Sequence, residues 1–296
     1  MKPKLIVLGA GGQLGADCVR ILSNHYQTTG YTHEQLDICN PDQVKKVLAN
    51  SQPDFIINCS AFTRVDDCET MADHAFQVNA KGPLYLAQGA NDIGAKLIHI
   101  STDYVFDGKR RIPEGYLEID PPSPVSVYGK SKLAGEQAIM AETNHFIIIR
   151  TSWLFGIYGN NFLKTIYKLA INESIPFLQV INSQYGSFTH TIDLARQIHQ
   201  LIEKDAQGIF HITGEGYCTW YEGAVYFLKK MEIAKEIKAC TEKEFPTKAT
   251  RPANSILCNQ RLIDENINLM PNWQKAIDHF VVLFKEKLMD QKVGSL

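Results

Sequence analysis

The chain has 296 residues, of which 45% are hydrophobic and 21% are charged, a composition typical of a globular protein large enough for a substantial core. Its 30 Lys and Arg residues nearly balance 32 Asp and Glu residues, and the formal net charge of −2 argues against nucleic acid or an anionic membrane as a partner. Seven cysteines without a C-x-x-C pair, and no apolar run near the ~18 residues of a membrane span, lead us to expect a cytoplasmic protein with reduced thiols.

The first half of the sequence alternates short apolar runs with longer helical patterns. In chain order the runs are KLIVLG (4–9), the weaker TTGYT (28–32), FIINCSA (55–61), KLIHIST (96–102) and HFIIIRTS (145–152). Continuous apolar runs of this length are typical of strands that are buried on both faces. Between two of them, Asn40-Pro41 predicts the cap and first residue of a helix. The repeated strand–helix–strand order predicts a Rossmann-type α/β fold with a doubly wound parallel sheet.

The second half alternates less regularly. Its patterns predict a helix near 160–172, a strand near 175–180, a helix near 190–204, a strand at 208–214 and a last helix at about 274–290. Thr219 and Glu222 have the spacing of a capping box that opens a further helix. We therefore assign residues 1–155 to a Rossmann domain, with later segments returning to it, and residues 156–296 mainly to a smaller C-terminal lobe.

A glycine-rich turn follows the first predicted strand directly. It contains Gly9, Gly11, Gly12 and Gly15, with Gln13 and Leu14 between the last two glycines, and a helical pattern comes next. Glycines permit a tight turn and let the backbone approach a pyrophosphate, which the N–H groups of the helix start can then bind. The pattern alone is weak and also fits a flexible loop, but its place between first strand and first helix favours a dinucleotide site.

The residues after the second predicted strand do not settle which dinucleotide binds. An NAD site usually ends this strand with Asp or Glu to hold the ribose hydroxyls, whereas this sequence has Thr32 or His33, with Glu34 beyond. The pattern favours NADPH slightly and leaves NADH usable. Asp37 is a candidate for the adenine amino group and is equally well explained as a turn residue before the next helix.

Tyr128 and Lys132 are four residues apart in a helical pattern and therefore share one face of the helix. A nearby ammonium is expected to lower the pKa of a phenol, which can then give a proton to a carbonyl oxygen as hydride reaches the carbon. Thr102, at the end of the fourth predicted strand, offers a second hydroxyl at the sheet edge where ligands bind. Y-x-x-x-K alone is common by chance, but the chain order of all three features favours the catalytic interpretation.

This order of motifs resembles the extended short-chain dehydrogenase/reductases. Longer strings resemble the dTDP-4-dehydrorhamnose reductase family across roughly residues 4–290; they are GAGGQLG, PDFIINCSAFTRVDDCE, ISTDYVFDG, YGKSKLAGEQ, RTSWLFGIYGNNFLKT and GIFHITGEGYCTWYEGA. The resemblance implies that NADPH or NADH reduces the C4 ketone of dTDP-4-dehydro-L-rhamnose, giving dTDP-L-rhamnose for bacterial surface polysaccharide. It also implies that the C-terminal lobe binds the sugar nucleotide and allows a homodimer.

The same resemblance assigns roles to individual residues. The catalytic set would be Thr102, Tyr128 and Lys132, and the substrate would contact Thr102, Asp103, Tyr104 and Trp153. The cofactor would contact Gly9, Gly11, Gly12, Gln13, Leu14, Gly15, Asp37, Ile38, Ala61, Phe62, Thr63, Tyr128 and Lys132. Structural explanations stay open: Trp153 as core packing, Asp103 as a turn cap, Asn79 as a backbone brace, and Arg64 and Arg150 as ion-pair partners.

Two departures from the family pattern lie in INSQYGSFTH (181–190). Ser183 stands where an aspartate is common, and Phe188 replaces a proline, so reduction of a different nucleotide 4-keto sugar stays open. We predict no metal site, because the acidic residues that hold Mg²⁺ in some relatives cannot be located. A second alternative is a non-catalytic regulatory subunit of the type that binds methionine adenosyltransferase, but the intact Thr102, Tyr128 and Lys132 argue against it.

Overall fold

The structure of the protein, a computed structural model, describes residues 2–293. The strands are β1 (Lys4–Leu8), β2 (Gln27–Tyr31), β3 (Phe55–Asn58), β4 (Lys96–Thr102), β5 (Phe146–Thr151), β6 (Leu154–Phe155), β7 (Leu178–Ile181), β8 (Tyr185–Gly186), β9 (Thr189–His190), β10 (Gly208–His211), β11 (Cys218–Thr219) and β12 (Ile237–Cys240). The helices are α1 (Gln13–Leu22), α2 (Pro41–Ser51), α3 (Val65–Cys68), α4 (Ala72–Phe76), α5 (Gly82–Ile93), α6 (Val127–Glu142), α7 (Phe162–Ala170), α8 (Thr191–Glu203), α9 (Trp220–Met231), α10 (Gln260–Asp264) and α11 (Trp273–Val293). A π-helical turn covers Gln77–Lys81 and a 3-10 turn covers Asp103–Val105. Within residues 2–293, no helix combines the length and apolarity needed to cross a membrane.

The five apolar runs of the first half all form strands of one parallel sheet. Its order is β10-β5-β4-β3-β1-β2, and every neighbouring pair is parallel. The third run is shorter than its apolar stretch suggests, because β3 ends at Asn58 and the chain then turns towards α3. The predicted Rossmann-type α/β fold is confirmed.

Both faces of this sheet are buried, as the continuous apolar runs predict. Along β1, Leu5 and Val7 pack into a core with α1 and α8, whereas Ile6 and Leu8 pack into a second core with α2 and α5. Alternate residues of a strand point to opposite faces, so only an unbroken apolar run can serve both cores. The cap predicted for α2 is also present, since the Asn40 side chain accepts a hydrogen bond from the N–H of Gln43.

The strand order reverses direction between β1 and β3. From β1 the chain moves outward to β2 at one edge, and then crosses back to place β3 on the other side of β1. At such a switch point the loops after the two strands diverge, and a crevice opens outside their carboxyl ends. The glycine turn follows β1 and Ala61 lies in the segment after β3, so both belong to this crevice.

A separate hydrophobic core lies under α7, α9 and α11. Aromatic side chains dominate it, among them Phe155, Phe188, Phe227 and Phe280. The capping box predicted at the start of α9 is present, with reciprocal bonds between Thr219 and Glu222. In contrast, β10 pairs with β5 in the six-stranded parallel sheet, and α8 packs with α1 on one face of that sheet. The domain division at residue 155 stays a prediction.

Candidate active site

The glycine turn after β1 is shaped by contacts that side chains would block. Gly9 has φ +74°, and its carbonyl accepts a hydrogen bond from the N–H of Gly12 at 2.9 Å. A Cβ on Gly15 would lie only 2.1 Å from the same carbonyl oxygen. Helix α1 begins at Gln13 with Gly12 as its cap. Because the cap brings no side chain, the N–H groups of the first turn face outward with their partial positive charge.

A cavity of about 400 Å³ lies beside this turn at the switch point of the sheet. It is lined by Gly9, Gly11, Gly12, Thr32, His33, Glu34, Leu36, Asp37, Ile38, Cys39, Cys59, Ser60, Ala61 and Val78. Six of the residues predicted to bind a cofactor are therefore brought together here: Gly9, Gly11, Gly12, Asp37, Ile38 and Ala61. Asp37 also serves as a turn residue, because its carboxylate accepts a hydrogen bond from the N–H of Cys39 at 2.9 Å.

The other predicted cofactor residues are not among those that line the cavity. Gln13 accepts a hydrogen bond from the Asn161 amide at 2.8 Å, and Leu14 is buried in the core beneath α1. Phe62 packs in a small cluster with Tyr128, and Thr63 is exposed. Asn79 braces this segment, since its amide makes hydrogen bonds to both the N–H and the carbonyl of Phe62.

Helix α6 positions the predicted catalytic pair. Ser126 caps the helix by accepting from the N–H of Gly129, and Tyr128 and Lys132 then lie on its buried face with 9% and 1% exposure. A Cβ on Gly129 would lie 2.1 Å from the carbonyl oxygen of Tyr104. The glycine therefore lets the segment after β4 lie directly against the helix, where the rings of Tyr104 and Tyr128 meet edge to face.

Thr102, the last residue of β4, contacts Tyr128. Its hydroxyl donates to the Asp103 carboxylate at 2.9 Å and accepts from the N–H of Tyr104 at 3.2 Å, and it lies close to the Tyr128 phenol. The expectation that the pKa of Tyr128 is lowered is wrong. Burial raises the pKa of Tyr128 well above its ordinary value, and the nearby Thr102 hydroxyl offsets this only in part. Tyr128 is therefore a protonated phenol at neutral pH.

The Lys132 amine points away from helix α6 towards β4. It donates to the carbonyl of Ile100 at 2.7 Å and lies 3.3 Å from Nε2 of His99. Burial lowers the pKa of Lys132 to about 8, although the Glu136 carboxylate one turn further along the helix acts in the opposite direction. The amine is therefore still mostly charged at pH 7, close to the pH at which it loses its proton.

Glu136 continues the polar face of helix α6 and was not identified from the sequence. Its carboxylate forms a bidentate ion pair with Arg150 on β5, with Nη2 at 2.7 Å from Oε2, and accepts a further bond from Ser101 on β4. Both charged side chains are at most 2% exposed. Its position four residues after Lys132, on the same face of the helix, could have identified Glu136. No sequence pattern, however, shows that a charged residue at that position is buried. Arg150 has the ion-pair role that the sequence left open.

The segment that contains Arg251 and Ser255, from the C-terminal part of the chain, packs against the residues after β4. Arg251 forms an ion pair with Asp66 at 2.8 Å and lies close to Tyr104, while Ser255 lies close to Asp103. Burial raises the pKa of Asp103 to about 6, while the hydroxyls of Ser255 and Thr102 act in the opposite direction. No spacing in the sequence links Arg251 or Ser255 to this site, because more than a hundred residues separate them from β4.

Trp153 lies in the aromatic wall of the second core. Its ring stacks on Trp220 with a centroid distance of 3.7 Å and meets Phe188 edge to face. A Cβ on Gly186 would lie 2.6 Å from the Trp153 ring and 2.9 Å from the Ser255 hydroxyl. Trp153 thus packs against this core and is half-buried, and its contact with substrate stays a prediction.

Comparisons with known proteins agree with this architecture. The family model described as "RmlD substrate binding domain" matches residues 3–285. A dTDP-4-dehydrorhamnose reductase of Aggregatibacter actinomycetemcomitans is 38% identical over 289 residues, which cover 93% of this chain and 97% of the relative. The spore coat polysaccharide biosynthesis protein SpsK of Bacillus subtilis is 38% identical over 280 residues, which cover 94% of this chain and 96% of that protein.

A solved structure gives the same result. The dTDP-4-dehydrorhamnose reductase of Bacillus anthracis, determined in complex with NADP, superimposes with a TM-score of 0.92 at 37% identity. The match covers 95% of this chain and 99% of that protein. With a family model that spans nearly the whole sequence and relatives this similar along their full length, the chain belongs to the dTDP-4-dehydrorhamnose reductase family.

Proposed function

We propose that this protein uses NADPH or NADH to reduce the C4 ketone of dTDP-4-dehydro-L-rhamnose to dTDP-L-rhamnose. The observation that carries the proposal is the position of Thr102, at the carboxyl end of β4, close to the buried Tyr128, with Lys132 one turn further along the same helix face. The glycine-lined cavity lies at the carboxyl ends of β1 and β3 in the same sheet, and β3 is the direct neighbour of β4. The names of the relatives supply the substrate class. The cytoplasmic location and the homodimer stay predictions.

The cavity fits a dinucleotide. Gly9, Gly11 and Gly12 leave its floor free of side chains, and the start of α1 offers N–H groups suited to a pyrophosphate. Thr32 and Asp37 lie where a ribose and a base would be read in this fold. When bound, the reduced nicotinamide supplies the hydride for the ketone carbon.

The protein's own residues supply the proton for the ketone oxygen. Tyr128 is protonated at neutral pH and can therefore donate its phenolic hydrogen to the ketone oxygen. Thr102 can turn its hydroxyl from Asp103 to the same oxygen and stabilise the charge that develops there. Burial makes the resulting phenolate costly, and a charged Lys132 one turn away on the same helix face would offset part of that cost.

The proposal is tested by incubating the protein with dTDP-4-dehydro-L-rhamnose and NADPH or NADH, and following cofactor oxidation. We expect turnover of this sugar with at least one cofactor. Phe188, which stands where the family pattern has a proline, packs against Trp153, a residue predicted to contact substrate. Other nucleotide 4-keto sugars should therefore be included in the same assay. Turnover of another sugar alone would reject the proposed substrate. No turnover of any sugar, with stoichiometric binding of a second enzyme, would support the regulatory alternative.

Replacing Gly12 by Val should raise the Kd of NADPH and NADH by ~10–100-fold, the loss of one or two hydrogen bonds to a charged group. The side chain would stand at the cap of α1, beside the cavity, with its Cβ 3.2 Å from the Gly9 oxygen, a tight contact that a small shift can relieve. Gly15→Val is the contrast, since it should instead lower the melting temperature. Unchanged cofactor affinity in folded Gly12→Val would contradict the site assignment.

Thr32→Asp should raise the KM for NADPH at least ~10-fold relative to that for NADH. Thr32 lines the cavity directly after β2, so a carboxylate there would repel the 2′-phosphate and accept from ribose hydroxyls. Thr32→Asn is the control, because asparagine has the same size as aspartate but carries no charge. An equal change for both cofactors would mean that Thr32 lies away from the adenosine ribose.

A further inference from the structure

Asn58 and His99 form a buried polar pair beneath the candidate active site that the proposed mechanism does not use. They are register partners in the adjacent parallel strands β3 and β4, and both are 0% exposed. The side-chain amide nitrogen of Asn58 lies 3.1 Å from Nδ1 of His99. The other ring nitrogen, Nε2, lies 3.3 Å from the Lys132 amine. One imidazole therefore joins the sheet to the catalytic helix.

The hydrogen bonds of Asn58 determine which ring nitrogen of His99 carries the hydrogen. The amide oxygen of Asn58 accepts from the N–H of Ser60 at 3.0 Å, so the NH₂ group must face His99. Nδ1 then accepts a hydrogen bond from Asn58 and cannot carry hydrogen itself. Burial and the nearby Lys132 lower the pKa of His99 well below its ordinary value, so the ring is neutral. Its single hydrogen is therefore on Nε2.

This tautomer directs an N–H donor at Lys132. An ammonium group has donors only, so a charged Lys132 and Nε2–H of His99 would oppose each other. A neutral amine has a lone pair and can accept from Nε2–H while it still donates to the carbonyl of Ile100. The geometry therefore favours loss of a proton from Lys132. The opposite tautomer would place a lone pair there and favour the ammonium.

Other titratable groups also face Lys132. Glu136 on the same helix favours the ammonium, but its carboxylate is already held by Arg150 and Ser101. The Cys59 thiol after β3 acts in the same direction as Glu136, and Tyr128 lies one turn earlier on the helix. Glu136 and Cys59 thus favour the charged form of Lys132, whereas the Nε2–H of His99 opposes it.

We propose that His99 is a positioning residue which, held in the Nε2–H tautomer by Asn58, sets the pH at which Lys132 loses its charge. The link to activity rests on the proposed function, because the charged Lys132 is what offsets the cost of the Tyr128 phenolate. Activity should then fall as the pH rises through the pKa of Lys132. The Tyr128 phenol titrates at higher pH and does not set this limit.

Asn58→Asp is the sharpest test, because it is nearly isosteric and reverses the tautomer. One carboxylate oxygen can still accept from the N–H of Ser60, while the other accepts from Nδ1–H of His99. Nε2 then becomes an acceptor for the ammonium. We expect nitrogen NMR of isotopically labelled histidine to show hydrogen on Nε2 in the native protein and on Nδ1 in the variant. The alkaline limb of kcat/KM should move up by about one pH unit, the equivalent of one hydrogen bond to a charged group.

His99→Gln is the matched control for the charge that Asn58→Asp introduces. A glutamine can turn its amide oxygen to Lys132 without adding charge, so the alkaline limb should again move upward. Hydrogen on Nδ1 in the native protein, or an unmoved limb in both folded variants, would overturn the proposal. NMR titration of the Lys132 side chain reports the same shift without turnover. If the protein reduces no sugar, this titration still decides the role of His99 separately from the proposed function.

Discussion

Replacing Tyr128 by Phe should lower kcat by at least ~10²-fold, the usual contribution of one general acid. The substitution removes a single hydroxyl, which lies close to Thr102, and keeps the ring packed against Tyr104 and Phe62. The Kd for NADPH or NADH should change little, because Tyr128 does not line the glycine-lined cavity. Steady-state kinetics and a cofactor titration on the same preparation measure the two quantities.

Tyr26→Phe is the matched control for this substitution. Tyr26 precedes β2 at the amino end of the sheet, and its hydroxyl contacts His199 rather than any site residue. Its removal should leave kcat unchanged. Near-normal turnover by folded Tyr128→Phe would remove this phenol from the mechanism and with it the proposed source of the proton.

Replacing Glu136 by Ala should lower the free energy of unfolding by about 3–5 kcal/mol, the range for breaking a buried ion pair. The variant would leave the Arg150 guanidinium buried without its carboxylate and would free the Ser101 hydroxyl. Because Glu136 joins helix α6 to both β4 and β5, the helix that carries Tyr128 and Lys132 should lose rigidity as well. Denaturant unfolding followed by circular dichroism measures the loss.

The double variant Glu136→Leu with Arg150→Met separates the buried charge from the lost packing. Replacing both partners by apolar side chains removes the uncompensated guanidinium, so most of the lost stability should return. A loss of only ~1 kcal/mol in Glu136→Ala, the size typical of an exposed pair, would show that solvent reaches the guanidinium.

The sequence predicted those parts of the molecule that depend on local pattern. The apolar run of β1 serves both faces of the sheet, and the caps at Asn40 and Thr219 are where their spacing places them. The glycine turn was recognisable because Gly9 and Gly15, six residues apart, lie so close together that a side chain on Gly15 would clash with the Gly9 carbonyl. Each of these features is determined by neighbours in the chain.

The residues that the sequence did not reveal come together only through strand register and long-range packing. Asn58 faces His99, and Ser101 faces Arg150, because β3, β4 and β5 pair in one particular register. Arg251 reaches Tyr104 from a loop of the second half. The pKa of Tyr128 was misjudged for the same reason, since the burial that raises it comes from residues distant in sequence.

Hydride transfer to C4 of the sugar is the central claim, and a labelled cofactor tests it most directly. The protein would be incubated with dTDP-4-dehydro-L-rhamnose and NADPH carrying deuterium on the transferable position, and the product examined by NMR and mass spectrometry. The account predicts dTDP-L-rhamnose with one deuterium, bound to C4. An unlabelled product, deuterium at another carbon, or recovery of the unchanged ketone from folded, cofactor-bound protein would contradict it.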